Sequence, residues 1–247
     1  MADWLKATLR EKVQWSDELY SLRFDAPLPA FKAGQFVRVG LDIDGERVGR
    51  PYSLVNAPHE STHEIYFNIV PEGPLSPRLA ELEKGDEFLV NSAVNGMMTL
   101  DQLPEHRHLW LLATGTALGP FLSILKTEEP WTRFERLVLC HSVRTPDDLA
   151  YQDTITELLE QHGDQLDFVP IVTRARHPGA LHVRIPAALE SGELEKHIGL
   201  ELKPDDAHVM LCGNSDMIQD TQQLLEGRGM KRHRKREPGH ITTEKYH

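Results

Sequence analysis

The chain has 247 residues, room for one large domain or two small ones, and its 40% hydrophobic and 26% charged content excludes a disordered or low-complexity protein. Its 38 acidic and 27 basic side chains give a net charge of −11, yet Arg228, Lys231, Arg232, Arg234, Lys235 and Arg236 crowd into nine residues, leaving −17 on the remainder. Such a body repels nucleic acid over most of its surface and offers one local site to an acidic partner.

Residues up to about 100 alternate polar and apolar between short turn signals, as in 64–70, which reads as a half-buried strand. Asp44-Gly45 suits a two-residue hairpin turn, because both positions tolerate positive φ, and it joins a strand over 36–41 to one over 47–55. A short helix is expected near Pro77. Several strands separated by turns suggest an antiparallel barrel, since closure protects sheet edges.

After the polar stretch 101–108 the rhythm changes. Apolar runs at 109–113, 137–140, 168–172 and 209–212 alternate with helical patterns such as 154–161 and 218–225. This βαβ alternation predicts a parallel sheet covered by helices, with ligands bound beyond the carboxyl ends of its strands. No run approaches the roughly 18 residues of a membrane span, and no basic-then-apolar leader opens the chain. A cytoplasmic location is therefore expected. Cys140 and Cys212 are too few and too far apart for a disulfide framework or zinc site and read as reduced thiols.

Candidate chemistry follows the strand ends. The turn Gly115-Thr116-Ala117-Leu118-Gly119-Pro120 leads into a helix over 121–126, whose first N–H groups can face a phosphate. Ala117 stands where a dinucleotide fingerprint has its middle glycine, so a plain strand-to-helix turn remains open. The next strand ends in Cys140-His141-Ser142-Val143-Arg144, without the acid that selects an unphosphorylated ribose. Arg144 is followed after the third strand by Thr173-Arg174, then Arg176 and Arg184. Arginines converging there would favour a 2′-phosphate through bidentate charge-assisted bonds. In the first half, Arg50-Pro51-Tyr52-Ser53 ends a strand and Gly73-Pro74-Leu75-Ser76 turns into the Pro77 helix. An arginine and a helix start can hold a pyrophosphate, and Tyr52 offers a flat face to a ring system, which suits one flavin nucleotide. Tyr52 as barrel packing and Cys212 as a small buried hydrophobe are the competing readings.

These motifs, with Cys212-Gly213-Asn214 and the ending Glu244-Lys245-Tyr246, occur in the order seen in bacterial ferredoxin (flavodoxin)–NADP reductases, which the chain resembles nearly end to end. The resemblance implies an antiparallel β-barrel FAD-binding domain over 1–102, followed by an α/β parallel-sheet NADP-binding domain over 103–247. It implies one non-covalent FAD on Arg50, Pro51, Tyr52, Ser53, Tyr66, Gly73, Pro74, Leu75, Ser76, Thr116, Tyr246 and His247. NADP(H) falls to Val143, Arg144, Thr173, Arg174, Arg184, Gly213 and Asn214. Ser53, Cys212, Glu244 and Tyr246 then serve the hydride transfer itself, with Tyr246 lying against the flavin. The implied activity is hydride exchange between NADPH and FAD and single-electron exchange with ferredoxin or flavodoxin. An acidic carrier would dock near 228–236 on a monomer that engages neither nucleic acid nor membrane. An NADPH-dependent reductase of free flavins or quinones, and a non-enzymatic flavin-binding or interaction module, are the rival readings. Two departures stand out. Ser215-Asp216 follows Asn214 where the family often has proline, which loosens the loop and adds an acid, and His247 ends the chain where close relatives often have an aromatic residue on the adenine.

Overall fold

A computed structural model of the chain describes residues 3–246. Among them the chain forms two compact units, one made of the residues up to Thr99 together with Gly119–Thr127, the other of Leu100–Leu118 and the residues from Glu128 onward.

In the first unit, strands β1 (Trp4–Gln14), β2 (Leu19–Asp25), β3 (Phe36–Ile43), β4 (Glu46–Ser53), β5 (His63–Asn68) and β6 (Glu87–Asn91) form one antiparallel sheet in the order β4-β3-β6-β1-β2-β5. Just past β4, Leu54 bridges Ile65 and the Val55 N–H donates to the Glu64 carbonyl at 2.9 Å. The first and last strands of the order thereby meet, and the sheet closes as the turn-separated strands predict. Alternate residues point inward: Leu9, Leu22, Phe24, Val39, Ile65 and Phe88 are all fully or almost fully buried, with Phe24 and Phe88 edge to face at 5.0 Å. Asp44 and Gly45 take φ of 53° and 83°, the two left-handed positions a tight hairpin turn needs. Helix α1 (Ser76–Glu81) starts with proline in its first turn.

One expectation fails here. The strand at 64–70 is not half-buried, because His63 through Phe67 are all buried. Ile65 and Phe67 fill the barrel, while Glu64 on the opposite face is shielded by Arg23 at 3.3 Å and receives no water-facing role; its N–H donates to Asn56 Oδ1 at 2.9 Å. Residues 119–127 cover this neighbourhood, with Ser123 Oγ donating to the Asn56 carbonyl at 2.7 Å.

The second unit is a five-stranded parallel sheet, ordered β11-β10-β7-β8-β9, of β7 (His108–Thr114), β8 (Arg136–Val143), β9 (Leu166–Val172), β10 (Ala207–Gly213) and β11 (Ile241–Lys245). Its inner strands β7, β8 and β10 read as near-continuous apolar runs because both faces are buried. Trp110, Leu112, Val138, Val209 and Leu211 face a core with Ile185 and Leu189 of α5 (Ile185–Glu190), Leu194 of α6 (Glu193–Ile198) and Ile218 and Leu225 of α7 (Ser215–Gly227). The chain also forms α2 (Leu118–Leu125), α3 (Glu129–Arg133) and α4 (Gln152–His162). Cys140 and Cys212 are buried free thiols. Among the described residues no helix is long and apolar enough to cross a membrane.

Candidate functional site

In the barrel unit the candidate residues gather at the end of β4 and beside it. Pro51 sits on a strand at one end of the hydrogen-bonded order, where a missing N–H costs least. Arg50 is exposed and spends one donor on the Gly49 carbonyl at 3.0 Å, leaving most of its fork for a ligand. Tyr52 is half-buried, edge-on to Phe67 at 5.8 Å, and burial pushes its phenol up to about 12, so it stays a neutral donor. Ser53 and Tyr66 are buried. The Gly73 N–H donates to the Val70 carbonyl at 2.8 Å, and a Cβ at Gly73 would press within 3.1 Å of that oxygen. Pro74 is exposed, and its carbonyl accepts from Arg78 at 3.0 Å. Leu75 is committed to the barrel core, so only its backbone can meet a ligand. Ser76 Oγ accepts the Val70 N–H at 2.9 Å and keeps its own proton to donate. Among the described residues no side chain caps the start of α1. A guanidinium, uncapped amides, a hydroxyl and a half-exposed aromatic ring are the donor set that a diphosphate joined to a flat ring requires, so these residues fit FAD.

In the second unit every candidate stands at the carboxyl end of the parallel sheet. Glu244, Cys212, Ala113 and His141 are successive partners across β11, β10, β7 and β8, and so form one row on one face. Burial raises Glu244 to about 7 and pushes the Cys212 thiol well above its usual range, with Glu244 adding to the rise. A raised thiol pKa favours the neutral, polarizable form of Cys212. Gly213, at φ +129°, passes so near β7 that a Cβ would stand 2.1 Å from Thr114 Oγ1. That same oxygen accepts the Asn214 N–H at 2.8 Å, and Asn214 Oδ1 in turn caps α7 through the Asp216 and Met217 amides. The Tyr246 N–H donates to the Gly213 carbonyl at 2.9 Å, continuing the β10–β11 pairing to the residue before the last. His247 lies outside the described residues.

Thr116 follows Gly115, which takes φ +56°. Val143 is buried, and its carbonyl accepts both the N–H and the hydroxyl of Thr173, at 3.0 and 3.1 Å. The Arg174 N–H donates to the Arg144 carbonyl at 2.8 Å, so these two arginines leave adjacent strands side by side. Leu181 then returns to β9 through bonds with Pro170 and Val172, and Arg184 follows at the start of α5. All three arginines are exposed, and among the described residues none of them forms an ion pair. Unneutralised guanidiniums at the strand ends fit a dianion such as a 2′-phosphate.

The basic run needs one correction. Arg228 turns inward, with Nη1 3.0 Å from both carboxylate oxygens of Glu195 and a further bond to the Leu189 carbonyl. It is a structural ion pair. Lys231, Arg232, Arg234, Lys235 and Arg236 are exposed, and Arg234 and Glu237 exchange backbone bonds of 3.0 and 2.9 Å that place Lys235 and Arg236 at the tip of a tight turn. Sequence reasoning assigned no role to Thr114 or His141. A histidine directly following the apolar run 137–140 was the available signal.

Two family descriptions match the chain: Oxidoreductase FAD-binding domain over residues 6–99 and Oxidoreductase NAD-binding domain over 111–223. The chain is 49% identical to the flavodoxin/ferredoxin–NADP reductase of Escherichia coli (strain K12), covering 100% of both chains. It is 38% identical to the ferredoxin–NADP reductase of Pseudomonas aeruginosa, over 94% of this chain and 93% of that one. The crystal structure of a ferredoxin NADP+ reductase from Neisseria gonorrhoeae with bound FAD and NADP aligns with a TM-score of 0.94 at 33% identity, covering 99% of each chain.

Proposed function

Because the chain belongs to the flavodoxin/ferredoxin–NADP reductases, we propose that it exchanges a hydride between NADPH and FAD and passes electrons singly to or from ferredoxin or flavodoxin. The three exposed, unpaired arginines at the ends of β8 and β9 and the start of α5 are the observation that carries the NADP side of this reading. FAD, when bound, supplies the coupling of a two-electron hydride to one-electron transfer.

The residues of this chain hold and orient. Arg50 and the amides at Leu75 and Ser76 would hold the FAD diphosphate beside the Gly73, Pro51 and Pro74 backbones, while Tyr52 and Tyr66 would pack against the flavin nucleotide. Ser53 and the Thr116 side chain add hydroxyls. Arg144, Arg174 and Arg184 grip the NADP 2′-phosphate, with Val143 and Thr173 shaping their strand ends, and the amides of the Gly115–Thr116 turn face its diphosphate. Gly213 and Asn214 guide the nicotinamide end. Glu244, when ionised, stabilises the positive charge that develops on the nicotinamide as hydride leaves, and Cys212 packs there as a thiol. Tyr246 would stack on the flavin where nicotinamide must bind, and so would yield to it.

We place the functional boundary between FAD-holding and NADP-holding domains near 102/103, and take the enzyme to work as a cytoplasmic monomer. The five outward cations of 231–236 steer an acidic carrier to a body that otherwise carries strong negative charge. Cytochrome c reduction from NADPH tests the whole reading: adding ferredoxin or flavodoxin should accelerate it strongly. A yellow enzyme that reduces free flavins or quinones but ignores both carriers would overturn it, and a colourless protein that takes up no FAD would leave only a binding module.

A further inference from the structure

His141 is fully buried on β8, within the row that includes Cys212 and Glu244. Its Nε2 lies 2.9 Å from the Gly115 carbonyl oxygen. A carbonyl only accepts, so Nε2 carries the proton and donates, which leaves the lone pair on Nδ1. That Nδ1 is buried and receives no hydrogen bond from the described residues. Burial also lowers the ring's pKa to about 4, keeping it neutral at physiological pH. A leucine would fill this place without burying an unpartnered nitrogen, so packing alone does not call for histidine.

The bonded carbonyl belongs to a glycine at φ +56°, a region glycine enters freely, so the peptide that follows it depends on its hydrogen bonds for its orientation. That oxygen accepts from two sides, from the Leu118 N–H within the 3-10 turn Gly115–Ala117 and from the buried imidazole. A trans peptide directs its carbonyl and its N–H to opposite sides. With the Gly115 oxygen held on the His141 side, the Thr116 N–H points away from His141. It lies in the opening turn ahead of α2, where an amide has no helical acceptor. The neighbouring residue of the turn is gripped independently, through Thr114 Oγ1 and the Asn214 N–H. The ends of β7, β8 and β10 are thus tied to one another around the 115–116 peptide.

We propose that His141 is a positioning residue that locks the Gly115–Thr116 peptide so that the Thr116 N–H is presented to the diphosphate of the bound nicotinamide nucleotide. This rests on the assignment of that turn to the NADP site and names the group that sets its geometry.

The test uses the FAD-loaded enzyme with His141→Leu and His141→Gln, titrated calorimetrically with NADP+ and with adenosine 2′-monophosphate. The second ligand has the 2′-phosphate and adenine but no phosphate on the 5′ oxygen. His141→Leu should weaken NADP+ binding about fivefold to tenfold, the scale of one hydrogen bond, and leave the monophosphate within about twofold of the parent. His141→Gln sets an N–H donor as many bonds from Cβ as Nε2 and should recover most of the loss. If the leucine variant does not fold, His141→Asn replaces it, because its donor mimics Nδ1 instead; glutamine must then bind NADP+ better than asparagine. Equal weakening of both ligands, unchanged NADP+ affinity, or glutamine no better than leucine or asparagine overturns the proposal. So does loss of FAD with NADP+ affinity retained, which would give the peptide to the flavin. An unsubstituted enzyme that binds neither ligand refutes the underlying site assignment, a result distinct from all of these.

Discussion

Glu244→Gln should make the enzyme more stable, and only toward neutral and higher pH. Burial lifts the Glu244 carboxyl from 4.5 to about 7. Between those values the folded chain holds a proton that the unfolded chain has released. Stability from this group is therefore fully present below pH 4.5 and is lost as pH rises through 7. The full difference is worth about 3 kcal/mol, and because the side chain is only half-buried, solvent screening reduces it to about 1–2 kcal/mol. Glutamine is neutral throughout and escapes the loss. The variant and parent should unfold alike near pH 5, and above pH 7.5 the variant should lead by that amount, or roughly 2–8 °C in thermal midpoint. Unfolding of the FAD-loaded proteins by urea and by heat, measured in parallel from pH 5 to 8.5, gives the comparison. A gap that stays constant over this range, or one that closes as pH rises, would refute the burial argument. The same variant should slow hydride transfer above pH 7, where the parent carboxylate is ionised, and match the parent at pH 5.5.

Arg174→Ala and Arg184→Ala should each raise the KM for NADPH about tenfold to a hundredfold while leaving NADH almost untouched; equal losses with both nucleotides would remove them from the 2′-phosphate site. Reversing Arg232, Arg234 and Arg236 to Glu should slow reduction of an acidic carrier at low ionic strength and spare oxidation of NADPH by a small neutral acceptor, and unchanged carrier kinetics would count against docking there. Arg228→Ala should behave otherwise: it strands Glu195, whose side chain is 12% exposed, and should cost about 2–4 kcal/mol of stability in denaturant titrations without altering carrier kinetics. Tyr246→Ser should tighten NADP+ and improve use of NADH by removing a ring that competes with nicotinamide, and an unaltered flavin spectrum with unaltered affinities would show the stacking assignment to be wrong.

What the sequence by itself determined is local or periodic. The Asp44-Gly45 turn, the proline at the start of α1 and the apolar runs of β7 to β10 are legible because φ preferences act within a few residues and a parallel sheet buried on both faces demands unbroken hydrophobic strands. Candidate ligand groups were legible for a related reason, since the motifs ending at Ser53, Ser76, Arg144 and Arg174 are contiguous. Short helices such as α3, α5 and α6 were not, being five or six residues long and too brief to display a period. Tertiary structure alone decided which strands are neighbours. The row of Glu244, Cys212, Ala113 and His141 joins residues up to 131 positions apart through parallel pairing, and no local pattern encodes that order. The consequences for charge follow from it: Arg228 left the basic surface because Glu195 lies within reach in the fold, and Glu244 acquired a raised pKa because the folded chain buries its carboxyl. Alternation along a strand specifies which face a side chain takes; only chain closure specifies what it meets there, and therefore what it can ionise, hold or orient.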